Sequence, residues 1–177
     1  MSKIDLKNIS HSYNPNDPSP TYALNPFSMT WENGKRYAIL GPSGCGKTTM
    51  LNIVSGLVRP SAGNILFDDK DVTNLKTESR NIAQVFQFPV IYNTMTVYEN
   101  LAFPLKCRDF LKDKIEERVN SVADTLNLKS FLNSPARKLT ADQKQLISLG
   151  RGLVREDVAA VLMDEPLTVI DPDLKFR

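Results

Sequence analysis

Eight consecutive residues of the chain have types and spacing that suit phosphate chemistry. They are Gly41, Pro42, Ser43, Gly44, Cys45, Gly46, Lys47 and Thr48, followed directly by Thr49, and they fit G-x-x-x-x-G-K-[ST] at every position. Glycines let backbone N–H groups approach phosphate oxygens closely, and a following helix would direct its positive N-terminus at the same anion. The pattern predicts that Lys47 reaches the β- and γ-phosphates of a nucleotide and that the Thr48 hydroxyl binds Mg²⁺.

Two carboxylates, Asp164 and Glu165, end a continuous apolar run at 158–163. An apolar run without alternation is typical of a strand buried on both faces, and α/β sheets bind ligands at the carboxyl ends of their strands. Because a phosphate loop is present in the same chain, this position predicts Asp164 as a partner of Mg²⁺. It predicts Glu165 as the residue that polarises a water molecule toward the γ-phosphate.

The elements that must position these residues follow from hydrophobic periodicity and from end signals. Strands are predicted at 4–9, 27–31, 36–40, 65–67, 82–86 and 158–163, and a Pro-rich loop at 13–20. Helices are predicted at 47–55 with Gly56 as C-terminal cap, from Thr96 onward, at 112–126 and from Thr140 to about 154. This order predicts an α/β core that is interrupted by a helical lobe.

Composition and charge exclude several classes of protein. The net charge of +2 over 177 residues gives no electrostatic reason to expect a nucleic-acid partner. A single histidine, His11, and two cysteines, Cys45 and Cys107, argue against a zinc site, a disulfide scaffold and a Ser-His-Asp hydrolase. The sequence has no apolar run of membrane-spanning length and no signal-peptide core, so we expect a cytoplasmic location.

Taken together, these residues resemble the nucleotide-binding subunits of ABC transporters over essentially the whole chain. The resemblance implies a phosphate-loop NTPase core with a mostly parallel sheet and flanking helices, antiparallel strands in the N-terminal part, and an inserted helical subdomain. It implies that the core comprises residues 1–87 and 156–177 and that the helical subdomain comprises residues 88–155. The implied cofactors are ATP and Mg²⁺.

The resemblance assigns roles to three further residues. Gln87, in Val85-Phe86-Gln87, matches a glutamine that contacts Mg²⁺ and the attacking water. Tyr13 falls where the family carries an aromatic that stacks on adenine, with Tyr22 as the alternative because a Pro-rich insertion shifts the offset. Asp171 matches the aspartate of the family's D-loop.

One segment departs from the family's pattern. Residues Leu139, Thr140, Ala141, Asp142 and Gln143 lie where the family has its LSGGQ signature, which faces the γ-phosphate bound by the partner subunit. Ala141 and Asp142 replace the two glycines, and two unit charges ~5 Å apart at an effective dielectric constant near 20 repel by about 3 kcal/mol. Alternatively, Asp142 stabilises its own helix, where an acidic first-turn residue contributes ~0.3–1 kcal/mol. The two interpretations are compatible, because the helix can be well capped and still bind the partner subunit's γ-phosphate poorly.

Two stretches narrow the resemblance to importers. Residues 95–105 resemble carbohydrate-importer ATPases of the maltose and glycerol-phosphate type, and residues 138–154 favour glycerol or a polyol. The resemblance implies an ATP-hydrolysing subunit at the cytoplasmic face of the bacterial inner membrane. The expected partners are permease subunits, a second ATPase subunit that is either identical or different, and indirectly a periplasmic solute-binding protein. The altered signature leads to the hypothesis of a different one. The alternatives are a soluble ABC-type ATPase of DNA repair or translation, and an ATP-binding regulatory module with impaired hydrolysis.

The end of the chain also departs from the family. The family carries a switch histidine in strands beyond the acidic strand end, whereas this chain ends at Arg177, twelve positions after Glu165. His11 cannot replace that histidine by position. The resemblance therefore implies C-terminal truncation, loss of a regulatory C-terminal domain, and near-inactivity of this chain alone.

Overall fold

The structure, a computed structural model, describes residues 1–168. Within these residues the chain forms six strands, four helices and three short 3-10 turns. It divides into two compact units, one of Met1–Ile82 with Asp157–Leu162 and one of Ala83–Glu156 with residues 163–168. The predicted α/β fold class is confirmed, while the functional boundaries at 87/88 and 155/156 stay predictions. Asp171 lies outside the described residues.

The first unit contains a four-stranded antiparallel sheet. Its strands, in the order β2-β1-β3-β4, are β1 (Ile4–Ser12), β2 (Tyr22–Trp31), β3 (Ala62–Phe67) and β4 (Lys70–Asp71). Ile4 pairs with Trp31 on one side and with Phe67 on the other, so β1 has a neighbour on each side, and its Ile4, Leu6 and Ile9 side chains belong to the core. The register shifts where Asn8 has a φ of 49°, which is typical of a bulge.

Helix α1 (Lys47–Ser55) begins and ends where the sequence predicts. Gly46 and Gly56 flank it with φ of 92° and 85°, a left-handed conformation that glycine adopts without steric cost. Its apolar face shares one buried core with the antiparallel sheet. The core members are Ile4, Leu6, Ile9, Trp31, Met50, Leu51, Ile53, Val54, Ile65, Phe67, Val72 and Leu162.

Residues 36–40, predicted as a strand that leads into the phosphate loop, are not a strand in the structure. Extended backbone becomes a strand only where a neighbour supplies ladder hydrogen bonds. No strand within residues 1–168 pairs with this segment, and Leu40 is 90% exposed. The apolar pattern predicts a strand here, but a pattern alone supplies no pairing partner.

A second sheet consists of β5 (Ile82–Val85) and β6 (Ala160–Met163). The N–H of Ala159 donates to Asn81 O at 2.8 Å and that of Asp164 to Val85 O at 2.9 Å, so the two strands run parallel. The predicted burial of the 158–163 run on both faces is wrong in part. Leu162 is buried, but Met163 is 42% exposed, because a sheet of two strands does not enclose the end of β6.

The second unit contains three helices, α2 (Val97–Lys106), α3 (Lys112–Thr125) and α4 (Ala141–Leu153). Thr96 and Thr140 begin α2 and α4 with capping boxes, which confirms both predictions. The longest helix among residues 1–168 has 14 residues, and none there is long and apolar enough to cross a membrane. The helices enclose a second core of Val97, Leu101, Ala102, Leu105, Ile115, Val119, Val122, Ala123, Leu128, Ala136, Ile147 and Val154.

Candidate functional site

The phosphate loop, residues 41–48, lies at the N-terminus of α1 in the first unit. Gly44 and Gly46 have φ of 79° and 92°, a region that residues with a Cβ rarely adopt. A Cβ on Gly46 would stand 2.4 Å from Ala23 O and 2.6 Å from Leu24 Cδ2. Glycine is therefore required at this position both by the backbone conformation and by the close approach of β2.

Lys47, the first residue of α1, folds back over the loop that precedes it. Its Nζ donates to Gly41 O and to Pro42 O, each at 2.9 Å. Residues 41–45 and the Thr48 side chain are exposed. An ammonium group and the first N–H groups of a helix are thus displayed together at the surface, a donor set that favours a polyanion such as a nucleotide phosphate.

Tyr13 lies beside the helix that the phosphate loop begins. Its hydroxyl is 3.2 Å from Thr49 Oγ1, and its ring meets His11 edge to face with 4.5 Å between the centroids. The ring is 66% exposed and so is accessible to a planar ligand. Tyr22, the alternative adenine-stacking residue, opens β2 opposite Ser12 and is 48% exposed.

A buried arginine, which sequence reasoning missed, holds the other end of α1. Arg80 is 3% exposed, and its Nη1 donates to Ile53 O and Val54 O in the last turn of the helix. Its Nη2 and Nε donate to Thr73 O and Leu75 O. Burial lowers the pKa of Arg80, but a cation at a helix C-terminus is stabilising. Arg80 therefore fixes the helix that carries the phosphate loop.

The second unit brings together Gln87, Asp164 and Glu165. Asp164 is buried directly after β6, and its N–H donates to Val85 O. Glu165 is exposed, and Gln87 Nε2 donates to its Oε2 at 3.4 Å. Glu165 also has a φ of 45°, a conformation that is uncommon outside glycine and that clusters at functional sites. The structure thus places the predicted water-polarising carboxylate beside the predicted water-orienting amide.

Two residues that sequence reasoning missed support this cluster. Gln145 of α4 is fully buried, and its Nε2 donates to Phe86 O at 3.2 Å and to Pro166 O at 2.8 Å. Thr168 Oγ1 donates to Glu165 O at 2.9 Å. The available signal was a polar residue on the buried face of a helix, where Ser148 and Leu149 follow Gln145 at positions i+3 and i+4.

The segment at 139–143 forms the start of α4. Thr140 Oγ1 accepts from Gln143 N at 3.3 Å, and Gln143 Oε1 accepts from Thr140 N at 3.1 Å. Ala141 is the first helical residue, Asp142 lies in the first turn, and Leu139 packs against the second core. Asp142 therefore occupies the end of the helix dipole where a carboxylate stabilises its own helix.

The donor chemistry of these residues fits a nucleotide with Mg²⁺. Residues 1–168 contain no group of three or more His, Cys, Asp or Glu side chains that could hold a metal ion. Mg²⁺ at phosphate sites typically takes one or two protein ligands and completes its shell with phosphates and water. A hydroxyl such as Thr48 and a buried carboxylate such as Asp164 are ligands of that kind.

Comparison with known proteins agrees with this chemistry. The ABC transporter family matches residues 24–168, which include the phosphate loop, the segment at 139–143 and both carboxylates. The chain belongs to the ABC transporter family.

The chain is similar to ATP-binding proteins of importers. It is 39% identical over 177 residues, its whole length, to an sn-glycerol-3-phosphate import ATP-binding protein of Agrobacterium fabrum, of which it covers 49%. It is 42% identical over 161 residues to a trehalose/maltose import ATP-binding protein of Thermococcus litoralis, a match that covers 88% of this chain and 43% of the relative. The chain thus spans about half the length of these relatives.

Solved structures give the same fold. An ATP-binding cassette of an ABC transporter in its ADP conformation has a TM-score of 0.79 and 25% identity, with 99% of this chain and 73% of that chain covered. A nucleotide-free ATP-binding cassette has a TM-score of 0.76 and 26% identity over the same shares.

Proposed function

We propose that the chain binds and hydrolyses ATP as part of the ATPase subunit of a bacterial ABC importer. The observation that carries this proposal is the phosphate loop at the start of α1, where an exposed backbone, the Lys47 ammonium group and the N-terminus of the helix lie together, a donor set that suits a nucleotide phosphate. Two relatives are named for import of glycerol-3-phosphate and of trehalose or maltose, which supports a sugar, polyol or glycerol-type solute.

The proposed roles follow from the chemistry of the side chains. Lys47 and the N–H groups of the loop bind the β- and γ-phosphates, and Tyr13, which touches the start of α1 through Thr49, stacks on adenine. Mg²⁺, bound by Thr48 and Asp164 with Gln87, would neutralise charge on the phosphates. The Glu165 carboxylate polarises a water molecule, which Gln87 orients, for attack on the γ-phosphorus. The bond from the γ-phosphorus to the β–γ bridging oxygen breaks, and ADP and inorganic phosphate leave.

The segment at 139–143 supports an asymmetric assembly. In the proposed dimer each ATP lies between one subunit's phosphate loop and the other subunit's signature, so Asp142 would oppose the γ-phosphate held by the partner. A partner subunit with an intact, glycine-containing signature would form one competent ATP site together with this chain's phosphate loop. We therefore propose a second, different ATPase subunit. The dimer would dock on permease subunits at the cytoplasmic face of the inner membrane, supplied by a periplasmic solute-binding protein.

Reconstitution of the full-length protein with its co-purifying membrane partners tests the function. The proposal predicts Mg-ATP hydrolysis and ATP-dependent solute uptake, both lost in the Lys47→Ala variant. Binding of ATP without turnover in the assembled complex would instead identify a regulatory module. Turnover without any membrane partner would identify a soluble ATPase.

A dimerisation experiment tests the asymmetric site. In a hydrolysis-blocked Glu165→Gln background, the double substitution Ala141→Gly and Asp142→Gly should strengthen ATP-driven dimer closure by up to ~3 kcal/mol. The same change should cost a few tenths to about 2 kcal/mol of helix stability. Equal dimerisation of the two forms, together with a native complex that contains one kind of ATPase subunit, would contradict the heterodimer.

A further inference from the structure

Gln145 connects the two backbone segments that carry Gln87 and Glu165. A single nitrogen, Nε2, donates to the carbonyl of Phe86, directly before Gln87, and to the carbonyl of Pro166, directly after Glu165. The Gln145 side chain is fully buried and both of its hydrogen bonds are part-buried, so water competes less with them than with an exposed bond. The two carbonyls that Gln145 binds therefore belong to residues directly adjacent in sequence to Gln87 and to Glu165, the proposed water-activating pair.

Two further links among the described residues join the segments that carry Gln87 and Glu165. Regular pairing with β5 ends at the bond from Asp164 N to Val85 O, and the left-handed backbone of Glu165 turns the chain away from the strand direction. The direct bond between the two side chains is long, 3.4 Å, and partly open to solvent. A weak exposed hydrogen bond contributes little to holding two side chains in register.

We propose that Gln145 is a positioning residue that sets the distance between Gln87 and Glu165. The inference rests on the proposed ATPase function of that pair. Gln145 lies one helical turn after Ala141, in the same helix whose first turn carries Asp142 and Gln143. A displacement of the start of α4 is therefore passed by one buried amide to both groups that handle the attacking water.

The two hydrogen bonds that Gln145 donates require an amide side chain. The NH₂ group of glutamine supplies two donors, whereas an ionised glutamate has acceptors only and would oppose both carbonyls. The Gln145 Oε1 atom is buried with no hydrogen-bond partner among the described residues, a costly arrangement in a side chain kept only for stability. That cost is consistent with a side chain retained for its donors.

Asn100 provides a matched control in the same unit. It is also fully buried, and its Nδ2 also donates to two carbonyls, Tyr92 O at 3.0 Å and Thr96 O at 2.9 Å. Its hydrogen bonds do not reach Gln87 or Glu165. The Asn100→Asp variant therefore removes the same kind of buried amide donor from the same unit and serves as the control for destabilisation.

The experiment compares Gln145→Glu, Gln145→Met and Asn100→Asp with the parent full-length protein. For both Gln145 variants we expect Mg-ATP turnover to fall by about tenfold or more, while the Kd for Mg-ATP stays within about threefold. For Asn100→Asp we expect a lower thermal midpoint and turnover, per folded molecule, within about twofold. Gln145→Met retains volume without a charge, so it decides the question if the glutamate variant does not fold.

A measurement independent of turnover separates this inference from the proposed function. The side-chain amide resonances of Gln87, followed by nuclear magnetic resonance, should shift in the Gln145 variants and stay in place in Asn100→Asp. Unshifted Gln87 resonances, or an equal loss of turnover in Asn100→Asp, would overturn the positioning role. Absence of hydrolysis in the parent protein would refute the ATPase proposal, while shifted resonances would still support Gln145 as the residue that positions Gln87.

Discussion

The phosphate loop of the first unit and the Gln87–Glu165 cluster of the second unit are built in opposite ways. The loop uses eight consecutive residues, and its conformation is fixed locally by left-handed glycines and by Lys47 bonding to carbonyls five and six residues before it. The cluster joins residues 78 positions apart and depends on Gln145 from a third segment. A contiguous motif carries its own geometry, whereas a dispersed cluster takes its geometry from the fold.

The two regions should therefore fail in different ways. The loop is sensitive to steric change within its own backbone, because β2 approaches Gly46 so closely. The cluster is sensitive to charge and to the loss of donors, because hydrogen bonds join its members. Variants in the loop should lower nucleotide affinity, and variants in the cluster should lower turnover.

The largest effect is expected from Glu165→Gln. The amide retains the shape of the side chain but loses the charge that polarises water, so turnover in the full-length assembly should fall about a hundredfold or more. Phosphate release under single-turnover conditions measures this loss. Glu116→Gln, an exposed carboxylate of α3, serves as the control and should leave turnover unchanged. A Glu165→Gln rate within about threefold of the parent would remove Glu165 from the mechanism.

A smaller effect is expected from Gly46→Ala, which adds a Cβ to one glycine of the phosphate loop. Gly46→Ala meets both an unfavourable φ and a clash with Ala23 O, so it should lower the free energy of unfolding by about 2 kcal/mol or more and weaken ATP binding. Gly34→Ala is the matched control, since Gly34 also has a positive φ, 72°, but has no atom within 4 Å of the added Cβ.

Urea denaturation measures the free energy of unfolding of both glycine variants. Gly34→Ala should cost only about 1 kcal/mol, the price of the left-handed conformation alone. Equal costs at the two positions would show that the approach of β2 does not constrain the loop.

The smallest expected effect is the pH dependence of stability that distinguishes the two capping boxes. Backbone and side-chain hydrogen bonds from Thr96 hold the pKa of Glu99 below its ordinary value of 4.5, whereas the box of α4 uses the uncharged Gln143. A lowered folded-state pKa means that the Glu99 contribution is present above pH 4.5 and is lost as the pH falls through the folded pKa. Thermal midpoints measured from pH 6 downward should fall less steeply in Glu99→Gln than in the parent. Parallel curves would show that the α2 cap does not titrate.

The local elements could be predicted from the sequence because their signals are local. The glycines that flank α1 and the Thr–Glu and Thr–Gln spacings of α2 and α4 determine helix ends without reference to distant residues. The phosphate loop was found for the same reason. Its residues lie together at the helix start that the motif predicts, and Tyr13 touches that helix.

The parts that sequence analysis missed depend on contacts between distant segments. Residues 36–40 have a strand's apolar pattern but no partner within residues 1–168, and pairing is a property of the sheet. Arg80 and Gln145 are polar residues whose hydrogen bonds all go to carbonyls of other segments. Helical spacing places Gln145 on the buried face of α4, but no local pattern predicts which carbonyls these two side chains bind.

The central claim is that nucleotide binding resides in the phosphate loop and hydrolysis in the carboxylate cluster. Calorimetric titration of Mg-ATP into the parent, Lys47→Ala and Glu165→Gln proteins tests it most directly, with Lys35→Ala as an exposed-lysine control. The account predicts that Lys47→Ala weakens binding by about tenfold or more, while Glu165→Gln and Lys35→Ala stay within about threefold of the parent. Unchanged affinity in Lys47→Ala, or an equal loss in Glu165→Gln, would contradict it.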